Sequence, residues 1–234
     1  MLKYTDIKRI QATAVDFLNL EPQQDPIIPL LAMHPFFEYS IIFNGKKNID
    51  IFEDKNGLAQ LRAGIEKNIW KANSANGVIF MIRESYKLTF LKFIKSSLSL
   101  EDFSELLGEV YVNSENPNDD QNVSISTLVR WFKQAKKEAL MNEEELKGYN
   151  SLPDHLIVYR GVAVDRKRNG ISWTTDLSVA KWFADRFNTD VRKGYVLRTE
   201  ISKADVLAFF SRRGEKEIVC KPEKERIRKI EEKV

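Results

Sequence analysis

Residues 212–219 read Arg-Arg-Gly-Glu-Lys-Glu-Ile-Val (RRGEKEIV), and the apolar run continues to Cys220. Gly214 followed by a β-branched run predicts a turn and then a strand entering a core, with the strand segment EKEIVCK over 215–221. Side chains two apart on a strand point to the same face, so Glu215 and Glu217 should stand side by side. Neighbouring like charges repel. A pair of carboxylates at the mouth of a strand therefore asks for a chemical reason.

Outward from this pair, the surrounding third of the chain has strand texture. LIVYRG (156–161) is a short β-branched and aromatic run ended by Gly161, and GISWTTD (170–176) follows a turn-like DRKRNG. GYVLRTEI (194–201) and ADVLAFF (204–210) alternate as strands do. Between them, DLSVAKWFADRF (176–187) predicts a helix with Asp176 as N-cap. The first half is helical in pattern. Apolar residues Ile7, Ile10, Ala14, Phe17 and Leu18 recur at helical spacing, and helices are predicted over 56–72, 77–97, 99–111 and 124–141. Ser99 and Asp102 have the spacing of a capping box. Residues 113–122, NSENPNDDQN, form a polar loop, and 26–43 read as a Pro-interrupted extended segment packed on something. Helices first and strands second predict an α+β fold with a mixed or antiparallel sheet.

Composition narrows the function classes. With 234 residues and 43% hydrophobic content, the chain can bury one large core or two small ones. The 37 basic and 34 acidic residues nearly balance and no basic block stands apart, so nucleic acid is not a favoured partner, although local basic patches leave it open. The N-terminus has no apolar signal-peptide core, and the longest uncharged apolar stretch, Pro26–Phe37, is too short to span a bilayer. A single cysteine, Cys220, precludes an internal disulfide, and His34 and His155 lack zinc-ligand spacing. The plain expectation is a cytoplasmic protein without a membrane span or a metal. Neither GxGxxG nor GxxxxGK[ST] occurs, so any nucleotide would be held another way.

Three short elements carry chemistry in their order: Arg160 closing a strand, Ser172-Trp173-Thr174, and Glu215-Lys216-Glu217 opening a later strand. Singly, each reads first as a surface ion pair, a pair of satisfied strand hydroxyls, or a solvated strand face. In this order, with TTDLSVAKWFADRF between them, they resemble the ADP-ribosyltransferases of the arginine, serine, glutamate type. The resemblance covers about Leu156 to Pro222.

It implies a mono-ADP-ribosyltransferase, a glycosyltransferase that takes NAD as substrate and releases nicotinamide, with an NAD-binding cleft and protein arginine as the favoured acceptor. It implies that Glu217 stabilises positive charge developing on the sugar, that Ser172 holds Glu217, and that Arg160 grips the NAD phosphates. Gly161 would let the backbone approach the nicotinamide amide, and Thr174 completes the cofactor-binding set. Glu215 would orient an arginine acceptor, whose guanidinium stays protonated until a base engages it. The basic loop FFSRRG would meet the acceptor, and an acidic patch or a nucleic-acid phosphate could answer Arg212 and Arg213.

Bland roles stand beside these: Trp173, Phe209, Phe210 and Cys220 as core residues, and His155 as a loop histidine. The catalytic domain is expected over 51–234, with 1–50 a lead-in that caps it, blocks it or recruits substrate. The chain is also similar to compact transferases that bacteria and their viruses use to modify host proteins. Two alternatives remain: an NAD glycohydrolase with water as acceptor, and a non-catalytic interaction module of transferase-like shape.

Overall fold

The computed structural model describes residues 1–230. The chain is α+β and forms two compact units, Met1–Leu106 with Asn113–Glu115, and Leu107–Val112 with the chain from Asn116 onward.

The first unit is helical with two small hairpins. Helix α1 (Ile7–Leu18) is capped by Asp6, which accepts from Arg9 N at 3.0 Å, and it buries Ile10, Ala14, Phe17 and Leu18 as the periodicity predicts. The segment 26–43, expected to pack as an extended stretch, supplies β2 (Ala32–Met33), which pairs with β1 (Gln23–Gln24) before it, and β3 (Ile41–Phe43), which pairs with β4 (Asn48–Asp50) after it. Much of it faces outward: Ile27, Ile28 and Leu30 are exposed, while Ala32, His34 and Phe37 are buried. The expected boundary at residue 50 falls inside this unit. β4 packs on the start of α2 (Lys55–Lys71), where a Cβ on Gly57 would lie 2.7 Å from the Ile49 side chain. Gln11 of α1 donates to Ile69 O, Trp70 O and Ala72 O at the other end of α2.

The helix predicted over 77–97 is broken into α3 (Ala75–Ile79) and α4 (Glu84–Ile94). Tertiary bonds explain the break. Arg83, at the start of α4, sends its guanidinium to the carbonyls of Ala32, His34 and Phe37, and its N–H to Pro35 O. Helix α5 (Leu100–Asn113) starts at Ser99, whose Oγ accepts from Asp102 N at 3.1 Å. Only half of the capping box forms, because Ser99 N donates to Thr5 Oγ1 instead.

The second unit holds α6 (Ile125–Gln134), α7 (Lys137–Leu140) and α8 (Glu143–Asn150), followed by β5 (His155–Val162), β6 (Ser172–Thr174), α9 (Leu177–Asp185), β7 (Tyr195–Ser202), β8 (Val206–Phe210), β9 (Glu217–Cys220) and β10 (Arg228–Lys229). The helix expected over 124–141 stops at Ala135, which takes an extended conformation. The six strands form one sheet in the order β10-β7-β5-β6-β9-β8, with every described pairing antiparallel. Leu156, Val158, Trp173, Leu197, Ile218 and Cys220 belong to one core cluster of this unit. Trp173 and Cys220 are therefore core residues, as their bland readings held. His155 is exposed and opens β5 rather than lying in a loop. Among the described residues, no helix is long and apolar enough to cross a membrane.

Candidate functional site

The sheet order brings the three sequence elements onto neighbouring strands. Arg160 lies on β5, Ser172 and Thr174 on β6, and Glu217 opens β9. In register, Thr174 pairs with Glu217 and Ser172 with Val219, so Ser172, Thr174 and Glu217 share one face while Trp173 and Ile218 turn to the other. Ser172 Oγ donates to Glu217 Oε1 at 2.5 Å, a short bond of the kind a hydroxyl makes to a carboxylate. Arg160 Nη1 donates to Ser172 O at 2.8 Å, bracing the serine from behind. Gly170 makes room for that guanidinium, since a Cβ there would collide with it. A polar tie also reaches this corner from the loop at 113–122, where Asn118 Oδ1 accepts from Ile171 N at 2.9 Å.

Glu217 is 9% exposed. Burial pushes its carboxyl up to about 7, the Glu215 charge adds to the rise, and Ser172, Tyr111 and Arg160 oppose it. The carboxyl is thus poised between its two protonation states near neutral pH.

Glu215 differs from the expectation of a shared strand face. The strand begins at Glu217, and Lys216 has φ +45°, the left-handed region, so the chain is not extended between the two glutamates. Thr174 fixes this turn. Its Oγ1 donates to Glu215 O at 2.7 Å and accepts from Asp176 N at 3.0 Å, joining the turn to the cap of α9. Glu215 is partly exposed and pairs with Arg213 Nε at 3.3 Å.

The loop of Arg212 and Arg213 is less open to an acceptor than its charge suggests. Arg212 is engaged by Glu145, at 3.0 Å from Nε and 3.1 Å from Nη2, and by Glu109 at 2.5 Å. Glu145 is fully buried at the start of α8, where it also accepts from Asn142 N and Ser211 N. Arg213 Nη1 donates to Val112 O at 3.1 Å. Phe210 is buried, and Phe209 lies against Gly148 of α8, where a Cβ would strike its ring. Neither is an open platform. The bare face of Gly161 is likewise turned to the Ala180 and Ala184 backbone of α9, so its missing Cβ serves close helix–strand packing.

One residue of the site has no counterpart among the sequence elements. Tyr111, near the end of α5, is 1% exposed, with its ring against Phe132 (4.9 Å between centroids, edge to face) and Phe210 (6.0 Å). Its hydroxyl is buried beside Glu217 and Ser172 and interacts electrostatically with both, yet makes no hydrogen bond of standard geometry. Burial holds the phenol well above its usual range, so it stays a neutral donor. In the sequence it is one apolar position of an amphipathic helix, and no local signal separates it from Val110 or Leu107.

A buried carboxyl near neutrality, clasped by a serine and braced by an arginine, can stabilise a developing positive charge or trade a proton. Comparison of the chain with family models, with curated proteins and with solved structures finds no match.

Proposed function

We propose that this protein is a mono-ADP-ribosyltransferase that cleaves the nicotinamide–ribose bond of NAD and transfers ADP-ribose to an acceptor, with protein arginine the favoured one. The observation that carries the reading is the hydrogen bond from Ser172 to a buried Glu217, with Arg160 braced on the same serine. These are the residues whose order carries the family resemblance. As the glycosidic bond breaks, its electron pair leaves with nicotinamide and positive charge builds on the sugar. The ionised Glu217 opposes that charge from a site where burial strengthens the interaction. Arg160 is assigned to the phosphates, and Glu215 to the acceptor, whose proton it receives as the new N–C bond forms.

A second reading has its own support. Arg213 already stands at Glu215, so the acceptor side is occupied by the chain's own guanidinium, which favours water as acceptor and an NAD glycohydrolase.

Nicotinamide release from NAD tests both. The wild type should release it, and Glu217→Ala should lower the rate by roughly 10²–10³-fold, the usual cost of losing a charge-stabilising group. Glu215→Gln should abolish transfer to arginine and spare hydrolysis. Wild-type protein that releases no nicotinamide, with or without arginine-rich acceptors, removes both readings.

A further inference from the structure

We propose that Tyr111 is a positioning residue of this site: its hydroxyl is the second donor, after Ser172, that receives Glu217 in its ionised form. Its effect on turnover rests on the function proposed above; its effect on the carboxyl does not.

The argument starts from an imbalance. A carboxylate accepts at about four lone-pair sites, and when buried it needs donors to replace water. Ser172 supplies one. The groups that bear on Glu217 are Ser172 of β6, Arg160 of β5, Glu215 of the preceding turn and Tyr111 of α5. Arg160 has an Nη1 bond to the Ser172 carbonyl, and Glu215 is a like charge. Tyr111 is the second hydroxyl that bears on the carboxyl, and it makes no standard hydrogen bond in the present arrangement.

A buried hydroxyl left in this state costs free energy, and such groups are rare in native proteins. Phenylalanine would fill the same space against Phe132 and Phe210 without that cost. A tyrosine here is explained if the hydroxyl acquires its bond in another state of the site. Ionisation of Glu217 provides one: the extra negative charge draws the phenol hydroxyl, and a small shift of the carboxyl toward it closes the bond. Phe132, edge to face, and Phe210, tilted, hold the ring, so the carboxyl makes the adjustment.

The test is the titration of Glu217, followed by isotope-edited infrared spectroscopy of the carboxyl band and assigned with Glu217→Gln. In Tyr111→Phe the midpoint should rise by about one pH unit, a tenfold loss in ionisation, because a donor to the charged form is gone. Replacing Tyr111 with 3-fluorotyrosine, a stronger donor of nearly the same shape, should move it down. Tyr111→Phe should melt no lower than wild type at pH 5, where Glu217 is neutral and the hydroxyl serves nothing. The rising limb of nicotinamide release against pH should follow the same shifts. An unchanged midpoint in both variants overturns the proposal. If the midpoints move as expected but wild-type protein releases no nicotinamide, the transferase reading fails and the role of Tyr111 in setting Glu217 stands.

Discussion

His34 in the first unit and Glu217 in the second are both buried titratable groups, and desolvation drives both toward their neutral forms. Their surroundings differ. His34 has both ring nitrogens used: Nδ1 accepts from Phe36 N at 3.0 Å, and Nε2 donates to Leu20 O at 3.0 Å. Its ring stacks on Phe37 at 4.5 Å. Neutral imidazole makes all of these bonds, and burial, outweighing the Leu20 and Leu18 carbonyls that favour the charged ring, lowers the pKa to about 4. Glu217 has a donor that suits the ionised form, a burial that opposes it, and a neighbouring hydroxyl without a standard bond. A group whose partners agree on one protonation state is part of the architecture. One whose partners disagree is where chemistry is to be sought.

The sharpest way to break this contrast is a buried charge that is fully partnered. Glu145 receives Arg212, Asn142 N and Ser211 N, so Glu145→Ala should cost about 3–5 kcal/mol in urea denaturation, leaving a cation and backbone donors without their acceptor.

Next come the two titrations, which should run in opposite directions. Glu217 has a folded pKa raised above its ordinary 4.5, so its contribution is fully present below 4.5 and is lost as pH rises through about 7. By pH 8 that loss reaches about 3 kcal/mol, and Glu217→Gln should outlast wild type there while matching it near pH 4.5. His34 has a folded pKa depressed below its ordinary 6.5, so its contribution is present above 6.5 and is lost as pH falls toward 4. That loss is likewise about 3 kcal/mol and should vanish in His34→Gln. Thermal melts across pH separate the two, and a shared direction would sink the contrast.

The smallest effect concerns the turn. Lys216 is exposed and holds φ +45°, so Lys216→Gly should stabilise the chain by about 0.5–1 kcal/mol, relief of the left-handed conformation exceeding the added unfolded-state entropy.

Much of the second unit was legible because its signals are local. Asp176 caps α9, β5 to β8 overlap the segments read as strands while β9 begins two residues later than read, and Arg160, Ser172 and Glu217 lie together as their order suggested. What escaped the sequence depends on distant partners. The break before α4 exists because Arg83 binds carbonyls 46 to 51 residues upstream, and β10 is only two residues long. The left-handed Lys216 left no signal, since lysine is an ordinary strand or turn residue. Tyr111 and Glu145 look like a helix-face aromatic and an N-terminal helix glutamate. Only the fold makes one a neighbour of the buried Glu217 carboxyl and the other an anchor for the loop before it.

The ion pair between Arg213 and Glu215 has one more consequence. Both groups belong to the same short turn, two residues apart, so the guanidinium is tethered near the carboxylate. Any cation arriving from solution must displace a tethered rival whose local concentration it cannot match. Dissolved salt weakens such a solvent-facing pair. Moderate ionic strength therefore opens Glu215 to visitors and, by the same screening, dulls its attraction for them, so its occupancy by an outside cation should peak at intermediate salt.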